Sequence, residues 1–234
     1  MGTIINTIAI LLGGIIGYLF GSRIKEKTQD TLTMACGISV LFIGISGALE
    51  KMLTISNNQI TSNYSIMLVL SLTIGGLIGE FFDIEDKFER FGEWLKQKTG
   101  NAKDKRFIDG FVNASLTVCI GAMAIVGSIQ DGIYHDSSIL ITKAILDFII
   151  IMVMTCSLGK GAIFSAIPVF LFQGSITILS SFIEPFMSEL ALHHLSLVGS
   201  VLIFCVGLNL VWGKKVRVAN LLPAILVAIF FSFI

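Results

Sequence analysis

Lys143 and Asp147 stand four residues apart in a segment, 139–158, that is otherwise almost wholly apolar. On a helix that spacing puts both side chains on one face, where they can pair. An ionised Asp at the centre of a membrane-spanning helix costs roughly 3 kcal/mol, so it persists only where a partner, a proton or water compensates it. The chemistry such a pair suits is the binding of a proton, a cation or a polar solute. A structural ion pair that ties helices together is the competing reading. Gln173, Asn6, Asn113, Asn209 and Asn220 are further polar side chains inside apolar segments. Each amide carries both donors and an acceptor, so all five are candidates to join the site. Hydrogen bonding between helices is their plainer role. Glu80, at the end of its apolar segment, is a candidate to line an entrance.

Other chemistries lack their residues. The four cysteines, Cys36, Cys119, Cys156 and Cys205, fall singly in four segments, with no Cys or His at metal-ligand spacing. His135, His193 and His194 lie between the apolar segments and read as solvent-facing. Gly13-Gly14-Ile15-Ile16-Gly17 follows no strand, Gly159-Lys160-Gly161 is no phosphate loop, and HExxH is absent. The expectation is no enzyme, no cofactor and no metal. Acidic residues are interspersed among the bases of the longest polar loop, which excludes a nucleic-acid patch.

The elements that must position these residues are membrane helices. Mean hydropathy is +0.89, and 54% of residues are apolar against 14% charged. Eight segments, at about 3–21, 32–53, 64–82, 108–130, 139–158, 161–183, 195–212 and 217–234, are long and apolar enough to span a bilayer. Their apolar runs are continuous rather than alternating, which selects helices over a barrel. The first has no basic residues before it and no small-x-small exit, so it reads as a retained span rather than a signal peptide. The fold class is therefore all-α: one polytopic helix bundle lying in the lipid bilayer.

Of 16 Lys and Arg residues, 14 fall in the loops after spans one, three, five and seven. The positive-inside rule makes those loops cytoplasmic and both termini extracytoplasmic. Ile84, Phe88, Phe91 and Leu95 recur at helical spacing beside Trp94, predicting an amphipathic helix at about 83–98 on the inner membrane surface. Residues 99–106 read as a flexible tip.

Gly13, Gly17 and Gly21 form a stripe on the first span, and Gly75 and Gly79 with Gly76 form another on the third. Glycine lets helix backbones approach closely in lipid. "GGIIG" at 13–17 returns as "GGLIG" at 75–79, and "IG" at 43–44 returns at 120–121. A fainter copy aligns residues 172–210 with 11–49. Spans three to five and six to eight would then be inverted repeats, an arrangement that in secondary transporters places the binding site at the repeat interface. Ser157, Gly159 and Gly161 mark a break between spans five and six. Pro168 and Pro223 mark kinks within spans six and eight.

Several of these residues together resemble one family along essentially the whole chain. "GGIIG" after Asn6, "GGLIGE" at 75–80, "KAILDF" at 143–148 with "SLG" at 157–159, and "NLLPA" at 220–224 are similar to the YqgA/YdfK-like family of multi-pass bacterial membrane proteins. The resemblance implies a bacterial inner-membrane location and carries over no catalytic residues. The expected function is a secondary transporter or channel for a small solute or ion, with its polar site around Asp147. The alternative is an accessory or structural membrane protein acting through helix packing and partner contacts. The oligomeric state is open, with room for a homo-oligomer.

Overall fold

A computed structural model describes residues 1–21, 23–56 and 59–233. The chain folds as α1 Gly2–Gly21, α2 Glu26–Met52, a hairpin of β1 Leu53–Ser56 and β2 Gln59–Ser62, α3 Ser65–Phe82, α4 Ile84–Lys98, α5 Phe107–Cys119, α6 Ala122–Ile133, α7 Ser138–Leu158, α8 Ala166–Ile178, α9 Ser180–Ile183, α10 Glu189–Trp212 and α11 Pro223–Phe230. Short 3-10 turns at Lys160–Ser165 and Val218–Leu221 lead into α8 and α11.

Among the described residues six helices are long and apolar enough to cross a bilayer, or seven if the bent pair α5–α6 is one span. The eight continuous spans expected from hydropathy are thus not reproduced. The fourth is broken: Ile120 is extended and Gly121 has φ 146, so the chain turns by 60° between the two half-helices. The eighth, Val218–Phe233, is apolar but shorter than a full span. Residue 234, expected to end it, lies outside the described residues.

Three helix pairs organise the bundle. Gly13, Gly17 and Gly21 of α1 face the carbonyls of Phe148, Met152 and Cys156 of α7, the two helices running parallel. A Cβ at Gly21 would lie 2.8 Å from the Cys156 oxygen, and at Gly13 and Gly17 it would clash outright. In the other two pairs the partners run antiparallel to each other: Gly44 of α2 abuts Phe204 of α10, and Gly75 and Gly79 of α3 abut Ala224 and Asn220 around the start of α11. Where backbones come this close, dispersion contacts and carbonyl dipoles replace side-chain burial as the adhesive.

At the centre lies α5, buried nearly all round through Phe107, Phe111, Ala114, Ser115, Leu116 and Val118. The amphipathic α4 covers its first half. Phe88 and Phe91 meet Phe111 at ring separations of 5.5 and 5.8 Å, and Gly92 leaves room for that ring.

Four further expectations change. Pro168 is the third residue of α8 rather than a mid-span kink. In a first turn its missing N–H has no intrahelical partner to lose. Pro223 opens α11 for the same reason. His193 and His194 do not sit in a loop: α10 starts at Glu189, Nε2 of His193 bonds Lys51 O at 2.7 Å, and Nδ1 of His194 bonds Ala228 O at 3.2 Å. The tip at 99–106 is tied down, because Arg106 donates to Ser157 O at 3.2 Å and Asp30 at 3.2 Å.

Candidate functional site

Helix α7 carries Lys143 and Asp147 on its buried face with Leu140, Ala144, Ile151 and Met154. Asp136, two residues before the helix, accepts from the Ser138 hydroxyl and amide. Those bonds hold its carboxyl below the usual range. Gly159, at φ 84, ends it.

Lys143 Nζ donates to an Asp147 carboxylate oxygen, Oδ2, as the i, i+4 spacing requires. Its second acceptor, the carbonyl of Val118 at 2.8 Å, exists only because α5 breaks. In a continuous helix Val118 O would accept from the amide four residues on. Here Ile120 and Gly121 leave the helical conformation, and the freed carbonyl points at the ammonium. It also lies at the negative end of the α5 dipole, which favours a cation.

Asn6 arrives from α1. The glycine stripe brings α1 so close to α7 that Nδ2 of Asn6 reaches Asp147 Oδ2 at 2.9 Å and Gln173 Oε1 of α8 at 3.2 Å. Asn6 and Gln173 have no exposed surface, Asp147 has 3% and Lys143 6%. Of the seven polar residues offered by the sequence, four therefore converge. Two atoms in the cluster keep unused capacity: Asn6 Oδ1 accepts nothing, and Gln173 Nε2 donates nothing, among the described residues. An unpaired buried polar atom costs about 1–3 kcal/mol, so both atoms are open to a further partner.

The other candidates gather at the end where the basic loops meet. Asn220 Nδ2 donates to Glu80 at 2.6 Å, Glu80 pairs with Arg217 at 2.6 Å, and Asn220 Oδ1 accepts from the Glu85 amide at 2.7 Å. Asn209 holds the following turn through the amides of Lys215 and Val216, each at 2.9 Å. Asn113 bonds back to Asp109 O of its own helix. Asn113 and Asn209, with Glu85, Glu89, Asp109 and Lys214, line a polar cavity of about 220 Å³. None of these touches Asp147.

Sequence reasoning missed two participants. Val118 contributes only a backbone carbonyl, which no residue type marks. Glu85 read as one acid in a charged loop, yet it is only 4% exposed, on one stripe with Gly92 and Leu95. The seven- and ten-residue spacings from Glu85 were the available signal. Its Oε2 accepts from Ala219 N at 2.8 Å and its Oε1 pairs with Lys214 at 3.1 Å. Burial disfavours the Lys214 charge, but the Glu89 and Glu85 carboxylates outweigh it and hold the ammonium above its usual range.

A separate cavity of about 730 Å³ runs beside the half-helices, walled by Phe88, Cys119, Ile120, Phe172, Phe186 and Leu226 among others. Its walls are apolar, and none of the four clustered side chains lines it. Among the described residues no group of His, Cys, Asp and Glu could hold a metal ion.

The sequence relationships agree with this membrane architecture. Residues 1–233 match the profile of the family described as "Protein of unknown function (DUF554)". The chain is 31% identical over 226 residues to the "Uncharacterized membrane protein YdfK" of Bacillus subtilis (strain 168), covering 97% of this chain and 93% of the relative. It is 29% identical over 235 residues to the "Uncharacterized protein YqgA" of Escherichia coli (strain K12), covering 97% and 94%. No solved structure matches. The chain belongs to the DUF554 family of membrane proteins.

Proposed function

We propose that this DUF554 member is a multi-pass transporter or channel of the bacterial inner membrane, passing a small solute or ion through the polar cluster of Asp147, Lys143, Asn6 and Gln173. The observation that carries the reading is the unspent hydrogen-bonding capacity of Asn6 Oδ1 and Gln173 Nε2 beside a charged pair. A purely structural ion pair would gain nothing from two orphaned amide atoms. The helix break that frees Val118 O supports it too, since irregular backbone at depth is tolerated where it lines a site.

The basic loops lie at one end, tied by Arg106 to Asp30, Lys214 to Glu85 and Arg217 to Glu80. That end is proposed to be cytoplasmic, with both termini outside. Glycine-mediated packing of α1 on α7 and α3 on α11 fits the internal repetition of the two glycine motifs. The proposed role is passage, not bond chemistry.

Proteoliposomes carrying the full chain test this with a panel of inorganic ions and small organic solutes under imposed gradients. Flux should appear for at least one, and Asp147→Asn should abolish it in a protein that still inserts and folds. Absence of any flux across the panel, or flux indifferent to Asp147→Asn, favours the accessory role instead.

A further inference from the structure

We infer that the large apolar cavity is the binding site of one acyl chain of a bilayer phospholipid, held as part of the folded protein. The site is separate from the Asp147 cluster, none of whose four side chains lines it.

The cavity exists because three elements fall short. Helix α5 stops at Cys119, α6 leaves it at 60°, and α11 begins only at Pro223. Cys119, Ile120, Gly121 and Ile125, the residues of the break, form one wall, and α8 and α11 face them with Phe172 and Leu226. A Cβ on Gly121 would meet nothing within 4 Å, so the protein itself does not fill the space beside the break.

Water is a poor occupant. No Asp, Glu, Lys, Arg or His is among the described residues that line the cavity, and a buried water needs two to four polar partners. An empty cavity would forfeit the dispersion contacts of its whole lining. The chain belongs to a membrane family, and the mouth carries Phe182 and Leu226, which are 76% and 71% exposed. The solvent at that mouth is hydrocarbon.

Shape selects which hydrocarbon-like occupant fits. The lining runs from Ile84 and Phe88 of α4, at the basic end, to Phe186 and Met187, just before α10 sets out from the opposite end. A volume of about 730 Å³ spread along the ~30 Å of a hydrocarbon core is on average about 5–6 Å across. That admits one extended chain of methylenes. A helix of a second copy is about 10–12 Å across with its side chains and does not fit. The acyl chain then packs against the break in place of a continuous fourth span.

The test uses the full chain purified in a steroid-based detergent, which brings no flexible alkyl chain, and washed free of lipid. Palmitoyl lysophosphatidylcholine should bind once per chain by native mass spectrometry. At about a hundredfold above half-saturation it should raise the melting temperature by about 5–10 °C. Glycerophosphocholine, the same headgroup without the chain, should do neither. Ile229→Trp and Ile176→Phe fill the cavity from α11 and α8. Each should lose the binding and the shift while melting no lower than the lipid-free unmodified protein. Phe81→Trp, on exposed surface of α3 outside the cavity, should keep both.

A lysolipid with a photoreactive group in mid-chain serves if the filling variants fail to fold. It should label the peptides around Ile120 and Phe172, not α3. Stability and mass indifferent to the lysolipid overturn the inference. So do an equal response to glycerophosphocholine, binding that survives both filling variants, or labelling confined to α3. A dimer that the filling variants dissociate would make a second copy the occupant and overturn it as well.

Discussion

Asp147 and Glu85 are both carboxylates with almost no exposed surface, and they are finished differently. Glu85 spends each oxygen on its own partner: Oε2 on the Ala219 amide, Oε1 on Lys214. The result fastens α4 to the turn before α11, and its partner lysine is 46% exposed. Asp147 takes both of its described bonds on Oδ2, from Asn6 and Lys143, and the amides around it retain unused atoms. A saturated buried acid needs nothing more and acts as a fastening. An unsaturated one, set where α1, α7 and α8 meet beside the broken α5, keeps capacity for a further partner. Burial alone does not separate these cases; the count of satisfied atoms does.

The largest expected effect falls on the Asp147 side. Lys143→Ala strands a buried carboxylate and should cost about 3–5 kcal/mol, read as thermal stability in detergent. Replacing both partners, as Lys143→Met with Asp147→Leu, should recover most of that while flux stays lost. A double variant that is stable and still transports would collapse the contrast, making Asp147 a fastening like Glu85.

Next is the packing that delivers Asn6. Gly17→Leu drives a side chain into the Met152 carbonyl and should cost about 1–3 kcal/mol. Gly21→Leu, at the helix end, should cost less. Equal, unperturbed stability in both would mean that α1 is not held to α7 through this stripe.

How far the sequence reveals the site depends on what each part consists of. Lys143 and Asp147 were legible because charge in an apolar run is costly and four-residue spacing is local. Asn6 and Gln173 were legible as oddities, but their meeting was not, since it requires three helices to pack at once. Asn113, Asn209 and Asn220 looked equivalent on paper, and tertiary structure sends them to the basic end. Val118 was invisible because its contribution is backbone. The span pattern came through in outline. Pro223 marked the interruption of the last span, but the break at Ile120–Gly121 did not show, because hydropathy averages across a two-residue interruption.

A smaller effect belongs to Glu85. In Glu85→Gln the amide oxygen can still accept from Ala219 N, so the loss is chiefly the charge pair with a half-exposed lysine, about 1 kcal/mol. Flux should be unchanged. If Glu85→Gln abolished flux with the fold intact, the basic end would be part of the pathway, and the division between fastening and site would have to be redrawn.

The smallest effect sharpens the same division by pH. Lys214 has a folded-state pKa raised above its ordinary value of 10.5, because the bonds from Glu89 and Glu85 outweigh burial. A raised folded pKa means the charged form is the one that folding favours. Its contribution is therefore fully present below the unfolded value and is lost as pH rises through the folded one. Because the Lys214 side chain is 46% exposed, solvent screening limits the contribution to under about 1 kcal/mol. The stability gap between the unmodified protein and Lys214→Met should hold steady from neutral pH to about 10 and close above it. A gap that persists at high pH would show that Lys214 acts through packing of its stem.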